Sequence, residues 1–314
     1  MDHQGDLEQP SASAASRQWS QPWRGSKRNS ANWSDGFQGG SRSGGRRAVT
    51  STNGRNGEPS GFGPDIRRDK AHLRIRWEEI DMATFVLVHG GWRGGWTYRR
   101  TADLLRSSGH TVFTPSLAGC AEHSHLLSGD ITLSTHVTDI VNLVKWEDLS
   151  SVTLVGHSYA GMVITGVACQ IPNRVDELVY LDAVVPSHGQ SFVDVYPPAL
   201  EMFLATGADN RGLYIDPFPA AQFGGNESDR AVIDRLGVPF PLAATTERLP
   251  LSDVNLAGFK RTYILATGYD SPYGDNRERI EGDPSWDFHT IDCGHDIMLD
   301  EPQKLVDVLL RRLG

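Results

Sequence analysis

The sequence predicts an α/β fold: a mostly parallel central sheet flanked by helices on both faces, with an inserted cap. Two observations predict it. From Met82 onward, apolar strand-like runs alternate with helical patterns, the signature of a parallel sheet covered on both faces. Between Pro186 and about Phe259 that alternation stops and prolines accumulate, at 197, 198, 217, 219, 239 and 241, which reads as an excursion over one end of the sheet.

Residues 1–81 are rich in Ser, Gly, Arg, Asn and Gln without apolar periodicity, so too little surface can be buried to offset the entropy of ordering. The expectation is a disordered extension, with 82–314 as the folded domain and a cap over about 186–259. AHLRIRWEEI, residues 71–80, reads as linker, and Met82 is an alternative natural start. TFVLVHG is the first strand, Tyr98 to Ser108 a helix ended by Gly109, and HTVFTPS the second strand. Ser134 is expected to cap a helix bearing Val137, Ile140, Val141 and Val144 on one face, ahead of the strand SVTLVGHS. ELVYLDA, RTYILATG and DFHTID are further strands, and a last helix starting near Pro302 aligns Leu305, Leu309 and Leu313.

Charge and cysteines exclude several function classes. The net charge is −9, and residues 82–314 carry 17 basic against 29 acidic side chains, which argues against nucleic acid as a partner. No run reaches the roughly 18–20 apolar residues of a membrane helix, and the N-terminus lacks the apolar stretch of a secretory signal. Arg46–Arg47 is not followed by the hydrophobic segment of a twin-arginine signal. Cys120, Cys169 and Cys293 are widely spaced without a CxxC pair, which fits a reduced cytoplasm.

The chemistry-bearing motif is Gly156-His157-Ser158-Tyr159-Ala160-Gly161, a G-x-S-x-G between a strand and a helical run. A serine on such a sharp turn is strained, needs small neighbours, and stands exposed at the carboxyl edge of the sheet beside a helix N-terminus. His89-Gly90-Gly91-Trp92 ends the first strand, where the amides of Gly91 and Tyr159 are expected to form an oxyanion hole. This loop lacks both the lysine of a phosphate-binding loop and the G-x-G-x-x-G spacing. His89 itself reads as a structural hydrogen-bonding residue. His295, just past the last strand, stands in the topological place of the general base, which must take and return the serine proton. For the acid, Asp270 after the penultimate strand is preferred; Asp182 in YLDA is the main competitor, and Asp275 and Asp283 are outsiders.

FVLVHGGWRGGWTYRR, VGHSYAGM and GHDIMLDEPQKL together resemble the α/β-hydrolase group of plant methylesterases, hydroxynitrile lyases and related bacterial carboxylesterases, over Met82 to Gly314. The resemblance implies a serine hydrolase acting on a small-molecule carboxylic ester, or a lactone or thioester, through an acyl-enzyme, with no metal or organic cofactor. Lyases of the group look different at two positions: they carry threonine where Gly90 stands and lysine where Asp296 stands. Cyanohydrin cleavage is therefore the alternative reading, alongside a non-catalytic ligand binder. LAGCAEHSHLL, residues 117–127, is similar to a loop beside the active site, which makes His123 or His125 a candidate substrate contact next to Gly90 and Trp92. Phe192, Phe203 and Leu204 are candidate pocket residues of the cap. The oligomeric state is left open, a homodimer included.

Overall fold

The computed structural model describes residues 82–207, 211–249, 256–273 and 275–312. The expectations for the N-terminal extension, for residues 71–80 and for Leu313 lie outside the described residues.

β1 (Thr84–Val88) leads through a loop and a short 3₁₀ turn into α1 (Arg99–Ser107), and β2 (Thr111–Phe113) follows. Then come α2 (Leu133–Trp146), β3 (Val152–His157), α3 (Ala160–Gln170) and β4 (Val175–Leu181). After β4 the chain forms α4 (Phe192–Val195), α5 (Pro198–Gly207), β5 (Tyr214–Ile215), α6 (Glu227–Leu236), β6 (Phe240–Pro241) and α7 (Ala243–Thr246). β7 (Lys260–Ala266), α8 (Asp275–Ile280), β8 (Asp287–Ile291), α9 (Ile297–Asp300) and α10 (Pro302–Arg311) complete the described chain.

Six strands form one sheet in the order β2-β1-β3-β4-β7-β8, every neighbouring pair parallel. Side chains alternate across it. Phe85, Leu87, Val155 and Val179 pack with Leu105 of α1 and Leu305 and Leu309 of α10, whereas Val86, Val88, Leu154 and Leu178 pack with α2 and α3. Helices thus cover both faces, as the strand–helix alternation predicts. Because all strands are parallel, the loops after β1, β3, β4, β7 and β8 emerge at one edge. Register makes the juxtaposition specific: His157 pairs with Leu181, so Ser158 and Asp182 follow on neighbouring strands.

One boundary differs from expectation. α2 starts a residue before Ser134, with Thr132 as its cap residue, whose amide donates to Thr135 Oγ1 at 3.2 Å. Ser134 lies in the first turn, and its amide and hydroxyl both donate to Glu247, at 2.7 and 2.8 Å, fastening the helix to the segment after α7. A Ser-Thr-rich helix start offers several capping side chains, and tertiary contact decides among them.

Candidate active site

Ser158 sits between β3 and α3 with φ +56°, a left-handed conformation costly for any residue with a Cβ. Tight packing enforces the turn: a Cβ on Gly161 would come within 2.0 Å of the Val184 carbonyl oxygen, so the elbow requires glycine there. Asp182 and Trp92 are likewise left-handed, with φ of +42° and +61°. Three such residues thus stand where three strand ends meet.

His295 follows β8, and its Nδ1 lies 2.6 Å from Asp182 Oδ2. Asp182 is fully buried, and its carboxylate also accepts from the Tyr269 hydroxyl at 2.6 Å, the Ser271 hydroxyl at 3.0 Å and the Ala266 amide at 3.3 Å. The contact with His295 fixes the imidazole with Nδ1–H toward the Asp182 carboxylate. Burial, and then the negative charge of Asp182, push the Tyr269 phenol well up, so it remains a donor.

The sequence's preference for Asp270 is corrected: the histidine's carboxylate partner is Asp182, and Asp270 is exposed. The turn after β7 sends Tyr269 inward, 3.1 Å from His295 Nδ1, and its neighbour Asp270 outward. Asp283 is occupied by Ser285, at 2.7 and 2.9 Å.

The second side of the imidazole is held by backbone and rings. The His295 amide donates to the Phe223 carbonyl at 2.8 Å and the rings stack at 5.5 Å. His157 Nε2 donates to the His295 carbonyl at 3.0 Å; burial and then the neighbouring His295 depress its basicity, keeping it neutral. Asp296 forms a buried two-pronged ion pair with Arg93, both contacts at 3.0 Å. Burial would raise that carboxyl, yet the Arg93 guanidinium holds it far below the usual range.

Gly90 brings the loop after β1 against Ser158. A Cβ at Gly90 would lie 2.8 Å from Ser158 Cβ and 2.9 Å from His157 Nδ1, so only glycine permits this approach. His89 locks the loop: the Leu117 amide donates to its Nε2 at 3.0 Å, leaving Nδ1–H to donate to the Gly90 carbonyl at 2.8 Å. Burial lowers its pKa to about 4, which suits this neutral structural role. The Tyr159 side chain is anchored by His136, whose Nδ1 lies 3.0 Å from the hydroxyl while Nε2 donates to the Ala118 carbonyl.

Ser158 and His295 line one cavity together with Gly91, Trp92 and Tyr159. Its walls are aromatic: Phe192, Phe203, Phe218, Phe223 and Phe240 from the excursion between β4 and β7, with Tyr196, Tyr269 and Tyr273. Trp92 is fixed by its indole N–H donating to the Ile215 carbonyl at 2.9 Å and by edge contacts with Phe203 and Phe218 at 5.9 and 5.2 Å. Leu204 is 49% exposed and outside the cavity.

His125 is also corrected. It is exposed, with Nδ1 on the Glu122 carbonyl at 3.1 Å, and does not line the cavity; His123 donates to the Ser116 carbonyl. Both are loop-holding histidines. Tyr269 and Tyr273 are the site residues that sequence reasoning missed; their spacing of four, in GYDSPY directly after a strand end, was the available signal. Among the described residues no cluster of His, Cys, Asp and Glu suited to a metal ion occurs, and no helix is long and apolar enough to cross a membrane.

Residues 85–308 match the Alpha/beta hydrolase family. The Carbendazim hydrolyzing esterase of Nocardioides sp. (strain SG-4G) is 42% identical over 238 residues, spanning 73% of this chain and 98% of that protein. Salicylic acid-binding protein 2 of Nicotiana tabacum is 29% identical over 251 residues, 72% of this chain and 95% of its own length. Among solved structures, an extracellular alpha/beta-hydrolase from a Paenibacillus species superposes with a TM-score of 0.65 at 26% identity, covering 73% of this chain and 98% of that one. Fold, strand–serine–helix elbow and sequence relatives agree: the chain belongs to the α/β-hydrolase family.

Proposed function

We propose that the protein is a carboxylesterase-type serine hydrolase in which Ser158 is the nucleophile, His295 the general base and acid, and Asp182 the orienting carboxylate. The observation that carries this reading is the His295 imidazole, tied at Nδ1 to buried Asp182 at 2.6 Å and facing the same cavity as Ser158. With Nδ1–H committed to the carboxylate, Nε2 is the nitrogen free to accept a proton.

The reaction runs in two halves. His295 Nε2 takes the Ser158 proton as Oγ attacks the ester carbonyl, and the carbonyl π pair moves onto oxygen. Neither the Gly91 nor the Tyr159 amide has an acceptor within the described residues, and both stand beside Ser158, so they serve as donors to that oxyanion. Collapse expels the alcohol, which takes its proton from His295. Water then repeats the sequence on the acyl-enzyme and releases the acid.

The cavity's rings and the absence of Asp, Glu, Lys and Arg from its lining favour an uncharged substrate with a flat aromatic part. The related bacterial protein is named for hydrolysing carbendazim, which supports an aromatic carbamate ester or aryl ester here. A fluorophosphonate probe tests the nucleophile: the wild type is labelled and Ser158→Ala is not. Labelling that persists in Ser158→Ala, or its absence in the wild type, refutes the proposal.

A further inference from the structure

The Ser158 hydroxyl has a neighbour that the triad does not require. Tyr273 Oη lies 3.3 Å from Ser158 Oγ, and either oxygen can donate. Tyr273 is 7% exposed and lines the cavity, its ring 5.9 Å from the His295 ring. Its backbone belongs to the acid's own network, since the Tyr273 amide donates to Ser271 Oγ at 3.2 Å and that hydroxyl donates to Asp182. The chain that orients His295 therefore also sets the phenol over the nucleophile.

A serine hydroxyl carries one proton and two lone pairs. If its proton is to face His295 Nε2, the Tyr273 contact must run the other way, with the phenol donating into an Oγ lone pair. We infer that Tyr273 is a further catalytic residue, whose hydroxyl donates to Ser158 Oγ, turns the serine proton toward His295, and stabilises negative charge on Oγ in both halves of the reaction. The inference rests on the proposed role of Ser158.

The proton balance is simple. In acylation His295 takes the serine proton while Oγ bonds to carbon; in deacylation the Oγ–carbon bond breaks and His295 returns the proton to Oγ. The phenol keeps its own proton throughout, and burial, which pushes its ionisation well up, ensures that it has one to donate. At 3.3 Å the resting contact is long for O–H···O. Hydrogen bonds to a charged acceptor are shorter and stronger, so this one tightens as Oγ gains charge.

Tyr273→Phe removes one oxygen and leaves the ring packing in place. The expected result is an approximately tenfold loss both in the rate of fluorophosphonate labelling and in kcat/KM for p-nitrophenyl acetate, with an unchanged melting temperature. Labelling reads activation of the nucleophile without turnover. Labelling of Tyr273→Phe at the wild-type rate makes the phenol a bystander, and faster labelling means that it holds the serine away from His295; either result overturns the inference. Wild type that is not labelled at all condemns Ser158 instead, so the two failures are distinguishable. Should Tyr273→Phe fold poorly, difluorotyrosine at 273 keeps the shape and ionises at lower pH. The alkaline limb of labelling then moves to lower pH if the proton is used, and an unmoved limb overturns the inference.

Discussion

The floor and the roof of the cavity are built on opposite principles. The floor, at the carboxyl ends of β3, β4, β7 and β8, is polar and closely satisfied: Asp182 alone engages His295, Tyr269, Ser271 and the Ala266 amide. The roof, from the excursion between β4 and β7, meets Trp92 with Phe203, Phe218 and Phe240 at 5.2–6.0 Å between ring centres. Buried hydrogen bonds to a charge tolerate little displacement, whereas ring contacts reshape at modest cost. Under the proposed function the floor sets what chemistry is done, and the roof sets on what.

Breaking the floor should give the largest effect. Asp182→Asn keeps the shape and removes the charge that holds the imidazole tautomer, so kcat should fall by a factor on the order of 10⁴. Asp270→Asn alters an exposed side chain and should leave kcat within about twofold. A reversed outcome in steady-state assays of the two variants would return the acid to the end of β7 and dissolve the floor as described.

That pair also marks where sequence reading stops. The placement of Ser158 and His295 on one cavity was legible because a local turn motif fixes one and chain order fixes the other. The choice of acid depends on which strand end faces the histidine, and both YLDA and GYDS offer an aspartate just past a strand. It is decided by the inward turn of Tyr269, which takes the place beside His295 and leaves Asp270 in solvent. His125 misled for a related reason, because a histidine-rich loop reads alike whether its rings meet substrate or its own backbone. The strands were legible from their apolar runs, while the start of α2 depended on Glu247, 113 residues from Ser134.

Buried histidines around the cavity should carry the acid sensitivity of the fold. Burial lowers His89 and His136 to about 4 from an unfolded value near 6.5, and shifts His157 in the same direction. Above pH 6.5 both folded and unfolded forms hold these rings neutral, so no stability is lost there. As pH falls from 6.5 toward 4 the unfolded chain takes up protons that the folded one refuses, costing roughly 3 kcal/mol for each of His89 and His136 by pH 4. The urea midpoint should therefore drop steadily between pH 6.5 and 4, and His136→Gln should flatten part of that slope. A midpoint constant over this range would mean that these rings are charged in the folded protein.

Altering the roof should give the smallest effect and the most selective one. Phe203 is buried against Trp92 and Phe192, at 5.9 Å from each ring, and touches no group assigned to the chemistry. Phe203→Ala removes apolar contact available to a bound aromatic substrate, a difference worth about tenfold in kcat/KM. Methyl benzoate should lose that factor, while the rate of fluorophosphonate labelling, which depends on Ser158, His295 and the oxyanion donors, should stay within about twofold. If labelling fell together with benzoate hydrolysis, the ring would be supporting the nucleophile as well as the substrate. The roof would then belong to the catalytic frame, and altering specificity through Phe203 alone would be out of reach.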